Sequence, residues 1–281
     1  MNSALHVLIL GRYRLSLDRP LVMGVLNVTP DSFSDGGRFL DPSAALDHAR
    51  KMIDDGADII DVGGESTRPG AAPTPEREEL RRVVPLIEKI AALGVPVSAD
   101  TRKPAVMRAA IAAGAAMIND VSALRVPGTL EALAGAETPA AVCLMHMQGE
   151  PATMQQNAAY EDVVYEVKQF MSERALACEA AGIARDRIVV DPGFGFGKTV
   201  EHNLTLLRRL SEIVALGYPV VVGLSRKSTI GALTGRDAGE RTAGSIAAAL
   251  AAVARGAKIV RAHDVRETVD ALKVWCALED K

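Results

Sequence analysis

Residues 187–198 read Arg-Ile-Val-Val-Asp-Pro-Gly-Phe-Gly-Phe-Gly-Lys, a short β-branched run that meets a carboxylate, a proline and three alternate glycines. Ile188, Val189 and Val190 are stiff at χ1 and favour a pleated, buried surface, which predicts a strand. Pro192 lacks the N–H needed to continue a ladder, and Gly193, Gly195 and Gly197 let backbone approach a ligand closely. Asp191 is thereby left at the strand's mouth. The ending Gly197-Lys198-Thr199 looks like the tail of a phosphate-binding loop, but that pattern needs glycine where Pro192 stands. The dinucleotide fingerprint fails as well, because Lys198 occupies the place of its third glycine.

Outward from this stretch the same unit recurs. Leu21–Leu26 is an apolar run stopping at Asn27, and Ile59-Ile60-Asp61-Val62, Val95–Asp100 and Ala116–Asp120 follow. Ala140–His146, Ile188–Asp191, Val220–Ser225 and Lys258–His263 complete eight predicted strands. Helical spacing separates them. Asp41 as N-cap and Pro42 open one helix, another starts after Thr74-Pro75, a third begins at Pro104, and a fourth runs from about Tyr160 to Ala181. The strands are apolar right through and not alternating, as in parallel strands covered by helices on one face and by a filled interior on the other. The expected architecture is an α/β fold, a (β/α)8 TIM barrel of roughly 250 residues in a single domain spanning 1–281. Residues 5–19 alternate around Gly11-Arg12 and predict an N-terminal β-hairpin that plugs one end.

With 281 residues, 48% of them hydrophobic, the chain has ample material for such a core. A net charge of −3 gives no basic footprint for nucleic acid, and no polybasic run suggests an anionic membrane surface. Cys143, Cys178 and Cys276 are odd in number and widely spaced, which points to a reducing cytoplasm. The run Leu5–Leu10 is too short for a signal core, and no stretch approaches a membrane span.

The polar residues closing the strands are Asn27, Asp61, Asp100, Asn119, His146, Asp191, Ser225 and the Arg261/His263 pair. In a parallel barrel those carboxyl ends meet at one face, where such barrels place their chemistry. Asp100, Asp191 and Asn119 together suit a flat heterocycle carrying an amino group beside a ring N–H, since carboxylates accept adjacent N–H donors in pairs. Arg68, Arg261, His263 and Lys227 bring positive charge to the same face and suit an oxyanion such as diphosphate. Arg102, Lys103 and Arg226 read as solvated surface charges, His146 as a strand-end core residue, and Met145/Met147 as packing. The five histidines form no zinc pattern, whereas a magnesium ion held through Asn27 and phosphate oxygens fits a hard cation that takes few protein ligands.

Several motifs, in order, resemble one family. They are Asn27 to Gly37, Asp61 to Gly70, His146 to Pro151, Asp191 to Lys198, Ser225 to Ser228, and Arg261 to Val265, and they span nearly the whole chain. The sequence is similar to the dihydropteroate synthases. The resemblance implies a magnesium-dependent transferase of folate synthesis that joins 4-aminobenzoate to 6-hydroxymethyl-7,8-dihydropterin diphosphate, in a family whose sulfonamide inhibitors occupy the aminobenzoate pocket. By motif position Asp100, Asn119, Asp191 and Lys227 would hold the pterin. Asn27, Thr67, Arg261 and His263 would hold the diphosphate, with Asn27 also at the metal. Phe33, Thr67, Arg68, Pro69 and Ser228 would shape the aminobenzoate pocket, and Asn27, Arg68, Lys227, Arg261 and His263 would serve catalysis. A homodimer through the later helices, near 201–217 and 240–279, is the expected assembly. Two other readings share part of this pattern: a barrel methyltransferase acting on a folate methyl group, and an inactive pterin-binding paralogue.

Overall fold

The computed structural model describes residues 6–29, 42–66, 70–149, 153–154 and 158–279. The N-terminal strands β1 (Val7–Leu10) and β2 (Tyr13–Ser16) form the expected antiparallel hairpin, turning at Gly11, whose φ is +55°. Eight parallel strands follow: β3 (Leu21–Asn27), β4 (Ile59–Gly63), β5 (Val97–Asp100), β6 (Met117–Asp120), β7 (Ala141–Met145), β8 (Ile188–Asp191), β9 (Val221–Val222) and β10 (Ile259–Ala262). They pair in the order β8-β7-β6-β5-β4-β3-β10-β9, and a parallel bridge between Val190 and Val220 closes the ring. The (β/α)8 barrel is therefore present.

Parity along each strand explains the apolar reading. Val22, Leu26, Ile60, Val62, Ile118, Val142 and Val190 face outward into one large core shared with the helices. Leu21, Met23, Ile59, Met117, Ala141, Val189, Val221 and Ile259 face inward and fill the lower barrel. Leu8, Leu10 and Leu17 of the hairpin pack into that same inner cluster and cover the end from which the strands start. Each such fully buried leucine removes apolar area worth about 1.5–3 kcal/mol from water.

The helices that wrap the ring are α1 (Pro42–Asp54), α2 (Glu76–Ala91), α3 (Pro104–Ala112), α4 (Thr129–Ala134), α5 (Val163–Ala180), α6 (Val200–Arg208), α7 (Leu210–Val214), α8 (Ser228–Thr234), α9 (Thr242–Val253) and α10 (Val265–Glu279). Helix α5 starts later than the apolar spacing indicates because Asp162 caps it, its Oδ1 accepting from Val164 N at 2.9 Å and Tyr165 N at 3.1 Å. Helices α4 and α8 have six and seven residues, too few for a periodic signal. The proposed Asp41 cap lies outside the described residues. No helix among the described residues is long and apolar enough to cross a membrane.

Candidate active site

Inward parity brings polar side chains together toward the strands' carboxyl ends. In register, Asn27 stands beside Gly63, Gly63 beside Asp100, and Asp100 beside Asn119. Asp61 lies one tier lower, paired with Ser98. Alternation separates adjacent residues of β6: Asn119 faces the lumen with Met117, while Asp120 lies behind the sheet and accepts from Ser122 N at 2.7 Å and Leu124 N at 2.8 Å. Gly63 matters because a Cβ there would lie 3.2 Å from Asn27 Oδ1 and 3.7 Å from Asp100 Oδ2, so glycine keeps open a space that both oxygens border.

Arg261 crosses this tier. Its Nε donates to Asp61 Oδ2 at 2.7 Å and its Nη2 to Asp100 Oδ2 at 3.0 Å, while Asn119 Nδ2 donates to Asp61 Oδ2 at 3.2 Å. Asp61 is wholly buried, and its Oδ1 takes no hydrogen bond among the described residues. One guanidinium thus fixes carboxylates from two other strands, and Asp61, which closes β4 in sequence but received no role there, is its anchor.

The glycine loop after β8 shapes the opposite wall. Gly193 N donates to Asp191 Oδ1 at 2.7 Å, and Gly223, which has no side chain, borders the other carboxylate oxygen. Gly193 has φ +68°, and a Cβ on it would fall 1.8 Å from the His146 carbonyl oxygen; only glycine fits there. The Lys227 ammonium lies 4.1 Å from the Phe196 ring centroid, against the space left by Gly195. Val121, Met145, Met147, Met154 and Phe196 form a small apolar cluster at this end, so the two strand-end methionines do pack.

Burial and mutual charge set the ionisation. Desolvation raises Asp100 to about 7, helped by the charge of Asp61 and opposed by Arg261. Desolvation likewise raises Asp191, opposed by the Gly193 hydrogen bond, Lys227 and Arg261. Lys227 is pushed down to about 8 by burial and by Arg261. Burial works against the charge on Arg261, but Asp61 and Asp100 outweigh it and the guanidinium stays firmly protonated. His263 departs from the sequence reading. Burial, then Arg261 and Arg226, lower it to about 3, which favours the neutral imidazole, and its Nδ1 lies 3.0 Å from Ser225 Oγ.

Asn27, Asp100, Asn119, Asp191, Lys227, Arg261 and His263 therefore all lie at the carboxyl-end face, while Ser228 is exposed at the start of α8. Phe33, Thr67, Arg68 and Pro69 lie outside the described residues. The solvated reading of three other charges is overturned. Lys103 Nζ bridges Glu65 and the buried Glu79, Arg102 Nε reaches Glu65 at 3.1 Å, and Arg226 pairs with Asp264 at 2.6 Å. Each was placed at the surface from residue type alone, and partners distant in sequence draw it inward. His146 is buried, with Nδ1 2.9 Å from Lys198 Nζ. Among the described residues no three His, Cys, Asp or Glu side chains cluster as a metal site. The borders of the Gly63 space, an amide oxygen and a carboxylate oxygen, are the hard donors that a magnesium ion accepts.

A family model described as pterin binding enzyme matches residues 23–263. The dihydropteroate synthase of Neisseria meningitidis serogroup C is 54% identical over 279 residues, 98% of either chain. The Xanthomonas albilineans dihydropteroate synthase, solved with 4-aminobenzoic acid, superposes with a TM-score of 0.91 at 52% identity, covering 98% of this chain and 99% of that one. The Burkholderia cenocepacia enzyme complexed with 7,8-dihydropteroate gives a TM-score of 0.89 at 50% identity, with 98% and 97% coverage.

Proposed function

Because the chain belongs to the dihydropteroate synthases, within the pterin-binding enzymes, we propose that it joins 6-hydroxymethyl-7,8-dihydropterin diphosphate to 4-aminobenzoate, giving 7,8-dihydropteroate and diphosphate. The observation that carries this is the single rim at which Arg261 spans Asp61 and Asp100 while Asp191 and Lys227 face them. Asp100 and Asp191 accept the ring's amino and N–H donors, Asn119 adds an amide, and Lys227 offers an ammonium to a ring acceptor. By motif position, Asn27, Thr67, Arg261 and His263 are assigned to the diphosphate. Phe33, Thr67, Arg68, Pro69 and Ser228 line the aminobenzoate side, an assignment that rests on motif position. The exocyclic C–O bond breaks, and both electrons leave with diphosphate. The arylamine lone pair then forms the C–N bond and its nitrogen loses a proton. A free arylamine at neutral pH needs no strong base, and Arg261 supplies positive charge where the anion develops.

Magnesium is the proposed cofactor, with Asn27 Oδ1 as its protein ligand beside Asp100. When bound it neutralises charge on the departing diphosphate. We further propose a cytoplasmic homodimer. Cys143, Cys178 and Cys276 are unpaired, and Val274 and Leu278 on α10 stand 63% and 74% exposed. Sedimentation equilibrium reads the dimer directly.

Incubation of the protein with both substrates and magnesium should yield dihydropteroate and an equal amount of diphosphate, and chelation of the metal should suppress both. Diphosphate release without the C–N product would replace coupling by hydrolysis; tight pterin binding with neither product would identify an inactive paralogue.

A further inference from the structure

Once a phosphate loop is rejected, Lys198 has no role, yet it is the most enclosed lysine of the mouth, 3% exposed. Its Nζ lies 2.9 Å from His146 Nδ1 and donates to the carbonyls of Gly193 and Phe196, each at 3.0 Å, with the His146 carbonyl at 3.5 Å. Burial lowers Lys198 to about 7, opposed by the charge of Asp191, and in its ammonium form the three N–H groups are all used by the three shorter contacts. These partners belong to two loops, one following β7 and one following β8. Their backbones touch: Gly193 approaches the His146 carbonyl too closely for any side chain, and His146 N donates to Asp191 O at 2.9 Å. Several carbonyl oxygens therefore converge on one buried point, where their partial negative charges repel unless a cation lies among them.

We propose that Lys198 is a positioning residue for the pterin-binding wall, holding the two loops together through a hub of carbonyl groups. It touches no substrate. It acts through Gly193, whose N–H orients the Asp191 carboxylate, and through Phe196, whose ring faces the Lys227 ammonium. The inference rests on the coupling function proposed above, because its readout is pterin affinity.

The test compares wild-type protein with Lys198→Met, which keeps the stem and removes the donors, and Lys198→Gln, which restores two of them. Calorimetry with pterin diphosphate should show the Met variant binding about 30-fold more weakly, the scale of losing charge-assisted hydrogen bonds, and the Gln variant about 5-fold more weakly. The KM for 4-aminobenzoate at saturating pterin diphosphate should stay within about twofold, a separation that general loss of structure does not produce. If the Met variant does not fold, the Gln variant alone decides. Unchanged pterin affinity overturns the proposal, and so does a parallel rise in both substrates' constants with a lowered melting temperature. Failure of the wild-type protein to bind pterin diphosphate overturns the coupling function, and this role with it.

Discussion

Replacing Asp61 by Asn removes one charge from the Arg261 triad at nearly constant shape. Because Asp61 Oδ1 takes no hydrogen bond among the described residues, the new amide nitrogen can occupy that position and leave an oxygen facing Arg261 and Asn119. Two carboxylates gripped by one guanidinium lie roughly 5 Å apart, and at an effective dielectric of about 20 their repulsion is about 3 kcal/mol, or about 2 pKa units. Arg261 between them screens part of that, leaving about one unit. Asp61 is the second cause, after burial, that raises Asp100 to about 7, so the variant's Asp100 should titrate lower. A protonated Asp100 no longer accepts two ring donors, so pterin binding falls as pH drops through this value. Calorimetry with the pterin substrate between pH 5 and 9 should place the acid limb of affinity about one unit lower in Asp61→Asn. The linkage has a definite sign. The folded value lies above the ordinary 3.8, so the stability Asp100 contributes is complete below pH 3.8 and is lost as pH rises through about 7. That loss should shrink by about 1 kcal/mol in the variant. An acid limb that stays put, or moves upward, refutes the view that the two carboxylates compete for one guanidinium.

Gly193→Ala forces a Cβ to within 1.8 Å of the His146 carbonyl and should cost about 3 kcal/mol or more; an unchanged melting temperature would exclude the close contact of the two loops. Leu10→Ala at the sealed end should cost about 2–5 kcal/mol in denaturant unfolding while leaving kcat at its wild-type value. A lowered kcat in folded protein would tie the hairpin to the chemistry. Lys103→Met strands Glu79, which is 1% exposed, beside Glu65, and should lower stability by about 3–5 kcal/mol, read by calorimetric melting. A neutral result would mean that the carboxylates do not depend on the ammonium.

The eight strands were legible because each is a β-branched or apolar run ended by a polar residue, and the rim was legible because parallel strands must end together. The short helices α4 and α8 were not, since one or two turns carry no period. Asp61 shows a different limit. Its inward parity can be counted along β4, but its partnership with Arg261 depends on how strands 200 residues apart come into reach, a property of the closed ring. His263 shows a third. Residue type suggested a cation, while desolvation and the neighbouring guanidinium groups make it neutral, and ionisation of that kind has no signature in the chain. Lys103 was misread for the same reason that long charged side chains often are: composition shows the head group, not the carboxylates folded over it.

Arg261 lies on the last strand, and its carboxylate partners lie on the second and third strands of the ring, 200 and 161 positions earlier. A polypeptide emerging from the ribosome therefore carries every acidic group of the site long before the one base that organises them. Fragments lacking the final segment should be catalytically silent however well their early strands pair. For the cell, premature stop codons near the gene's distal end would be as damaging as those at its beginning, and any folding helper that binds the nascent chain must let go before the seam between first and last strands can be sewn.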